Sequence, residues 1–421
     1  MVKTKINPLL KTKYPRIVHY ELIIFIFLLF EFIFMIIEVK SNTNTRTSYL
    51  LTYKFGFIPQ AFVGSIISLF TNYVTSRLIY TIYIISFLIL ISFLSFLFGG
   101  VIRKSQSDVK SATMIFVVLF LASPLSVTYL LGMNTERLDI FWVLLTLLAL
   151  VFLKRPILRW TIPIVCAIAV SIHQGYMDTY MPALAILLLY EVYKNKHSKK
   201  SIAVFTFSCL SMIFLFMYFQ FFPAKLPFDN AVDFATQLSK NADFTASAIM
   251  LHVGFFAPFK EWFTEYVGPI TASYALPLGV TLLTYSLPLL IIFGIIWKKC
   301  ISQTKNRFLK LIFILCCLAP LVFFPGAVLA NDWDRYWAAV INNQFIFVFY
   351  FIYSNENVVI NCIKEVGNFF QKHFLLLFLI IIFIKSFTFS ESATNIFSFI
   401  QNKHAISRLI EDYINRSVNR H

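Results

Sequence analysis

Apolar stretches close to the twenty residues that a helix needs to cross roughly 30 Å of hydrocarbon recur along this 421-residue chain, separated by short basic segments. No other feature constrains the fold as much. A chain that is 59% hydrophobic and only 13% charged cannot hide its apolar surface in one water-soluble core. In lipid every backbone polar group must be paired within the protein, which leaves helices or a closed barrel. The short alternating segments of a barrel are absent, so the expected fold is all-α, a polytopic helical membrane protein.

Eleven spans are expected, at about 18–38, 78–100, 112–132, 138–153, 160–176, 178–193, 201–222, 273–297, 308–330, 337–353 and 369–390. Charge orients them. The N-terminus carries Lys3, Lys5, Lys11, Lys13 and Arg16, and alternate loops are basic in turn. These loops hold Arg103, Lys104 and Lys110; Lys154, Arg155 and Arg159; Lys194 to Lys200; Lys298 to Lys310; then Lys364 and Lys372. By the positive-inside rule the N-terminus is cytoplasmic, and the first helix is expected to be retained, since no small-residue cleavage site follows it. The formal net charge of +16 is spread over these loops, so it points to membrane topology and anionic lipid, not to nucleic acid. Six cysteines lie in apolar stretches or basic loops without metal-type spacing, so neither a disulfide nor a zinc site is expected. One domain over 1–421 is expected, in a multi-pass protein of the cell membrane.

The outer segments are then 39–77, 133–137, 177, 223–272, 331–336 and the tail 391–421. The first holds Arg46, Lys54 and a stretch from Phe55 to Gly64 that reads as re-entrant or interfacial. The long 223–272 segment is rich in Phe and reads as a surface-lying lid. Three polar clusters map to this same face: Gly132 to Asp139 with Glu136 and Arg137, His173 to Asp178, and Asn331 to Trp337 with Asp332, Asp334 and Arg335. Ionisable groups at membrane depth are costly and mark cavities or substrate paths. Guanidinium forks suit phosphate oxygens, and a carboxylate or imidazole suits a hydroxyl proton. Plainer roles compete at each position. Asp332, Asp334 and Arg335 also fit an interfacial turn with an aromatic belt, Glu136, Arg137 and Asp139 a local ion pair, His173 an interfacial histidine, and Arg46 and Lys54 ordinary outer-loop cations. Glu31 fits either packing or function, and Asn342, Asn343 and Gln344 fit interhelical hydrogen bonding.

The segment Lys-Phe-Gly-Phe-Ile-Pro-Gln at 54–60, followed by Asp-Trp-Asp-Arg at 332–335, resembles the Wzy-type repeat-unit polymerases of bacterial surface-polysaccharide clusters, relatives of the GT-C class of lipid-linked-sugar glycosyltransferases. The resemblance implies a metal-independent glycosyltransferase that polymerises lipid-linked oligosaccharide repeat units at the outer face, for capsule, exopolysaccharide or O-antigen. Its substrate would be a polyprenyl-diphosphate-linked oligosaccharide, with membrane lipids, a chain-length regulator and a flippase as partners and no soluble cofactor. Arg335 and Arg137, helped by Arg46 or Lys54, would hold the diphosphate, with Asp139 and Asp178 also at the substrate. Asp332, Asp334 or His173 would accept the hydroxyl proton. The first outer segment has no Asp or Glu, unlike many GT-C enzymes, which moves any base to positions 139, 178, 332 or 334. A GT-C-type transferase using a polyprenyl-phosphate sugar donor and a polysaccharide flippase or exporter are the alternatives. An O-acyltransferase and a non-catalytic scaffold are further readings.

Overall fold

A computed structural model of the chain describes residues 19–37, 43–222, 226–257, 276–322 and 333–386. Among these residues every regular element is helical, and strand-like pairing is limited to an isolated bridge between Val74 and Ala242. The all-α expectation holds. The helices that matter here are α1 (Tyr20–Ile37), α2 (Ala61–Ser68), α3 (Ser76–Lys104), α4 (Lys110–Ala122), α5 (Val127–Met133), α6 (Asp139–Leu153), α7 (Ile162–Ile172) and α8 (Met181–Lys194). They continue with α9 (Lys199–Phe221), α10 (Ala231–Ser239), α11 (Leu276–Gln303), α12 (Arg307–Leu318), α13 (Trp333–Tyr353), α14 (Asn357–Lys372) and α15 (Phe374–Lys385).

Helix occupies part or all of each expected span among the described residues. Four stretches are long and apolar enough to cross a membrane, Ser76–Lys104, Lys110–Gly132 (α4 and α5 together), Lys199–Phe221 and Gly279–Gln303, or five if the bent pair α13 and α14 is taken as one. Asp139–Leu153, Leu158–Ile172 and Phe374–Lys385 are apolar but shorter: at 1.5 Å per residue, the fifteen residues of α6 rise only about 22 Å. The chain also turns between α13 and α14 by 113°, so the stretch expected as a loop before 369 is helical. Val359, Ile360, Cys362, Ile363, Val366, Gly367 and Phe370 are its buried positions, and this amphipathic spacing lays α14 across the end of the bundle.

At the centre stands α13, with nearly every described side chain from Tyr336 to Ile352 buried. Its three consecutive amides point to three neighbours. Asn342 accepts from Val127 N at 3.0 Å and donates to Leu125 O at 2.9 Å, closing the break between α4 and α5. Asn343 donates to Thr179 O at 2.6 Å and Gln344 to Cys316 O at 3.0 Å. A broken helix in an apolar core frees backbone groups that side chains must satisfy. The expected interhelical bonding is thus present, and the amides serve the breaks. Glu31 makes an ion pair with Lys385 of α15.

The bundle has two dissimilar ends. One collects the basic segments: Arg159 Nη2 lies 3.3 Å from Glu191 Oε2, Tyr350 donates to Glu191 at 2.8 Å, and Lys194 lies 3.3 Å from Glu356. The other end carries a small second core in which Tyr49, Leu51, Ile58, Ala61 and Ile67 pack with Phe234, Leu238 and Leu251. Here the chain folds back after α1. Gly56 takes φ +103 and Gln60 φ +65, and α2 lies so close to the preceding strand of chain that a Cβ on Gly64 would sit 2.1 Å from the Leu51 carbonyl oxygen. The glycine of the Phe-Gly-Phe-Ile-Pro-Gln segment supplies a backbone conformation, and Gly64 a close approach. Gly64→Ala is expected to lower stability by about 1–3 kcal/mol or more, because backbone must move to admit the methyl group. Thermal melting of the purified protein checks this, and an unchanged midpoint would refute the close packing.

Candidate functional site

At the end opposite the basic segments, charged groups from three separate stretches of chain are buried together. Glu136 stands on the turn between α5 and α6 with φ +66, a region non-glycine residues seldom occupy. Only 1% of its side chain is exposed, and it accepts from Arg46 Nε and Nη2, both at 2.7 Å. This is the bidentate geometry of a strong charge-assisted pair. The Glu136 hydrogen bonds raise the Arg46 guanidinium above its already high range.

Three residues further on, Asp139 opens α6, where a carboxylate meets the positive end of the helix dipole. Arg335, in the first turn of α13, donates from Nη1 to Asp139 Oδ1 at 3.2 Å. Arg137 Nη1 lies 4.0 Å from Asp139 Oδ2. Two guanidinium groups from distant parts of the sequence therefore share one buried carboxylate. The Arg335 guanidinium is also 5.6 Å from the ring centroids of both Trp142 and Tyr336, a cation–π setting that holds its plane.

Trp142 carries the cluster on to His173, whose ring meets it edge-on at 5.1 Å. His173 Nδ1 accepts from Gly175 N at 3.0 Å, so in a neutral imidazole the proton is on Nε2. Asp178, on the short turn Tyr176–Thr179 between α7 and α8, is half-buried, and no hydrogen bond or ion pair reaches it among the described residues. Burial pushes its carboxyl from 3.8 to about 6. Because the folded value is the higher one, the folded state is disfavoured as pH rises, the loss accumulating between the ordinary value and about 6. Asp178→Asn is therefore expected to melt above the parent protein at pH 7.5 and level with it near pH 4. A variant that melts below the parent at pH 7.5 would mean that Asp178 has a stabilising partner.

The segment 226–257 roofs this end in part. Ser247 N donates to Thr47 Oγ1 at 2.8 Å, Ser76 N and Oγ donate to Asp243 Oδ1 at 2.7 and 2.9 Å, and the Phe244 ring stands 6.0 Å from Arg46.

Of the residues singled out from sequence, Arg46, Arg137, Asp139, Arg335 and His173 come together. Lys54 does not: it is exposed on its turn, and among the described residues no contact joins it to the arginines. Its aromatic neighbours, not its charge, face the protein. Asp332 lies outside the described residues, and Asp334 is described only as backbone in α13. Two participants had no sequence signal. Tyr49 is fully buried, its hydroxyl without a hydrogen-bond partner among the described residues. Burial, then the nearby Glu136 and Asp139 carboxylates, raise that phenol far above its ordinary value. Trp142 looks in sequence like any apolar residue of α6. No protein-family model, curated protein or solved structure matches this chain.

Among the described residues, the cluster sets the guanidinium groups of Arg46, Arg137 and Arg335 beside the carboxylates of Glu136 and Asp139. Chemically it suits an anion with several oxygens that can share the forks with Asp139 and Glu136.

Proposed function

We propose that the chain crosses the membrane eleven times with its N-terminus cytoplasmic, and that it polymerises polyprenyl-diphosphate-linked oligosaccharide repeat units at the outer face. The observation that carries this reading is the convergence of Arg335 and Arg137 on buried Asp139, at the end of the bundle away from the Lys- and Arg-rich segments. Basic segments mark the cytoplasmic side, so the cluster falls at the outer headgroup level, where a lipid-linked diphosphate would lie.

In this reading Arg335 and Arg137 hold the diphosphate of the donor. The bond between its oxygen and the anomeric carbon breaks, and negative charge builds on that oxygen, where fixed guanidinium groups stabilise it. The sugar hydroxyl of a second lipid-linked unit forms the new glycosidic bond. Its proton passes to Asp178, Asp332 or Asp334, or to His173 Nδ1 in exchange for the hydrogen bond from Gly175 N. Arg46, paired to Glu136, fixes the loop that carries Arg137.

Arg335→Lys keeps the charge and loses the planar fork, and it is expected to lower polymer formation about ten- to a hundredfold at matched membrane levels. An interfacial anchor would accept lysine with little loss, since both side chains snorkel. Polymer length is the readout. Normal long-chain polysaccharide from Arg335→Ala would eliminate the role. Single repeat units accumulating on lipid carrier in the outer leaflet support polymerisation, whereas the same units held in the cytoplasmic leaflet would identify a flippase.

A further inference from the structure

Away from the charged cluster, a cleft of about 500 Å³ opens between α3, α6 and α13. Its walls are apolar, with Leu94, Leu97, Phe98, Leu147, Phe345 and Phe349 among them. At one end the walls give way to four cations, Arg103, Lys104, Lys154 and Arg155. The α13 side of the cleft runs from Asn342 to Tyr353, about 16 Å at 1.5 Å per residue, which is half of the roughly 30 Å bilayer core. The cleft is thus as deep as one leaflet and has its charge where that leaflet's headgroups lie.

The cations are not neutralised one for one. Lys154 is paired to Glu191, Arg103 to Glu21, and Lys104 lies 3.8 Å over the Tyr353 ring. Arg155 is exposed and has no ion pair among the described residues. Four positive groups meet two carboxylates. Neither Asp139 nor Arg335 lines the cleft.

We propose that this cleft binds an anionic phospholipid of the leaflet at the basic end, one acyl chain lying between α3 and α13 and the phosphate held by Lys104 and Arg155. The polymerase reading is not needed for this inference. A neutral phospholipid would fill the walls but leave the cation excess unanswered. A polyprenyl tail descending from the far end would place hydrocarbon among four charges.

Gly100 offers a clean way to close the cleft. It lines the wall, and a Cβ built on it meets no atom within 4 Å, so Gly100→Leu adds side chain to open space on a helix that favours leucine over glycine. The full-length protein, purified in neutral detergent, is incubated with equal amounts of dioleoyl-phosphatidylglycerol and dioleoyl-phosphatidylcholine, and bound lipid is read by native mass spectrometry. The phosphatidylglycerol should be retained preferentially. Lys104→Gln with Arg155→Gln should weaken it about twenty-fivefold, since each cation near an anionic-lipid surface contributes roughly fivefold, and leave phosphatidylcholine unchanged. Gly100→Leu should weaken both lipids. Equal retention of the two lipids by the parent protein overturns the proposal, as does a double variant that keeps the preference. Retention of neither lipid, the result of a cleft filled by protein, also overturns it. Polyprenyl phosphate that binds parent and double variant alike and displaces phosphatidylglycerol would assign the cleft to a carrier-lipid tail instead. Should Gly100→Leu not fold, the charge variant decides alone, because Lys104 and Arg155 are at the surface.

Discussion

Glu136→Ala is expected to cost about 3–5 kcal/mol of stability, because it strands the Arg46 guanidinium inside the protein without its carboxylate. The side chains are 1% and 16% exposed, so water can take over only part of the lost bonds. The effect belongs to the uncompensated charge and not to the strength of the pair. Replacing both partners, Arg46→Met with Glu136→Met, should therefore recover most of the loss, as apolar substitutes for a buried pair often do. Denaturant unfolding of the solubilised protein measures both steps. If the double variant is as unstable as the single one, the turn at Glu136 depends on something other than the ion pair. Under the polymerase function proposed above, the pair of variants also separates folding from function: a double variant that is stable yet makes no polymer would place Arg46 and Glu136 in the chemistry as well as in the fold.

Asp139→Ala is expected to be of similar size, roughly 3–5 kcal/mol, because two guanidinium groups lose their shared partner together. Arg335 and Arg137 have side chains 11% and 23% exposed, so Arg335 should suffer more. Adding Arg335→Met to Asp139→Ala should return part of the stability, giving a coupling energy of about 0.5–3 kcal/mol in a double-mutant cycle. The same cycle with Arg137→Met should give a smaller value, since its distance to Asp139 is 4.0 Å against 3.2 Å for Arg335. Equal couplings, or none, would show that Asp139 is not the hub of the cluster. Under the polymerase function proposed above, Asp139→Ala should abolish polymer in cells even where the membrane level of the protein is restored.

Much of the architecture could be read before any coordinates. Helical spans follow from the length of apolar runs, and the basic segments do gather at one end, where Lys194 meets Glu356 and Arg159 meets Glu191. What the apolar runs did not reveal is where the helices break or bend within them. Pro124 and Ser126 interrupt the run between Lys110 and Gly132, and α14 carries an apolar stripe that lays it across the bundle where a loop was expected. Hydropathy averages over a window and does not see where a helix bends.

At the site the division is sharper. The residue types and their common end were legible, because charges beside apolar runs are expensive enough to stand out in any chain this poor in them. Partner choice was not. Glu136 could have paired with neighbouring Arg137, and Asp139 with no one, yet Glu136 takes Arg46 from ninety residues earlier and Asp139 takes Arg335 from 196 residues later. Tyr49 and Trp142, one of twenty tyrosines and one of six tryptophans, gave no signal at all. By itself the sequence determined an all-helical chain with apolar spans and a sorted charge pattern, since period and composition are local properties that decide which solvent each segment accepts. Only the tertiary structure decided which carboxylate neutralises which arginine, because that depends on how α6 and α13 are set side by side and on a fold-back pinned by Gly64 against Leu51.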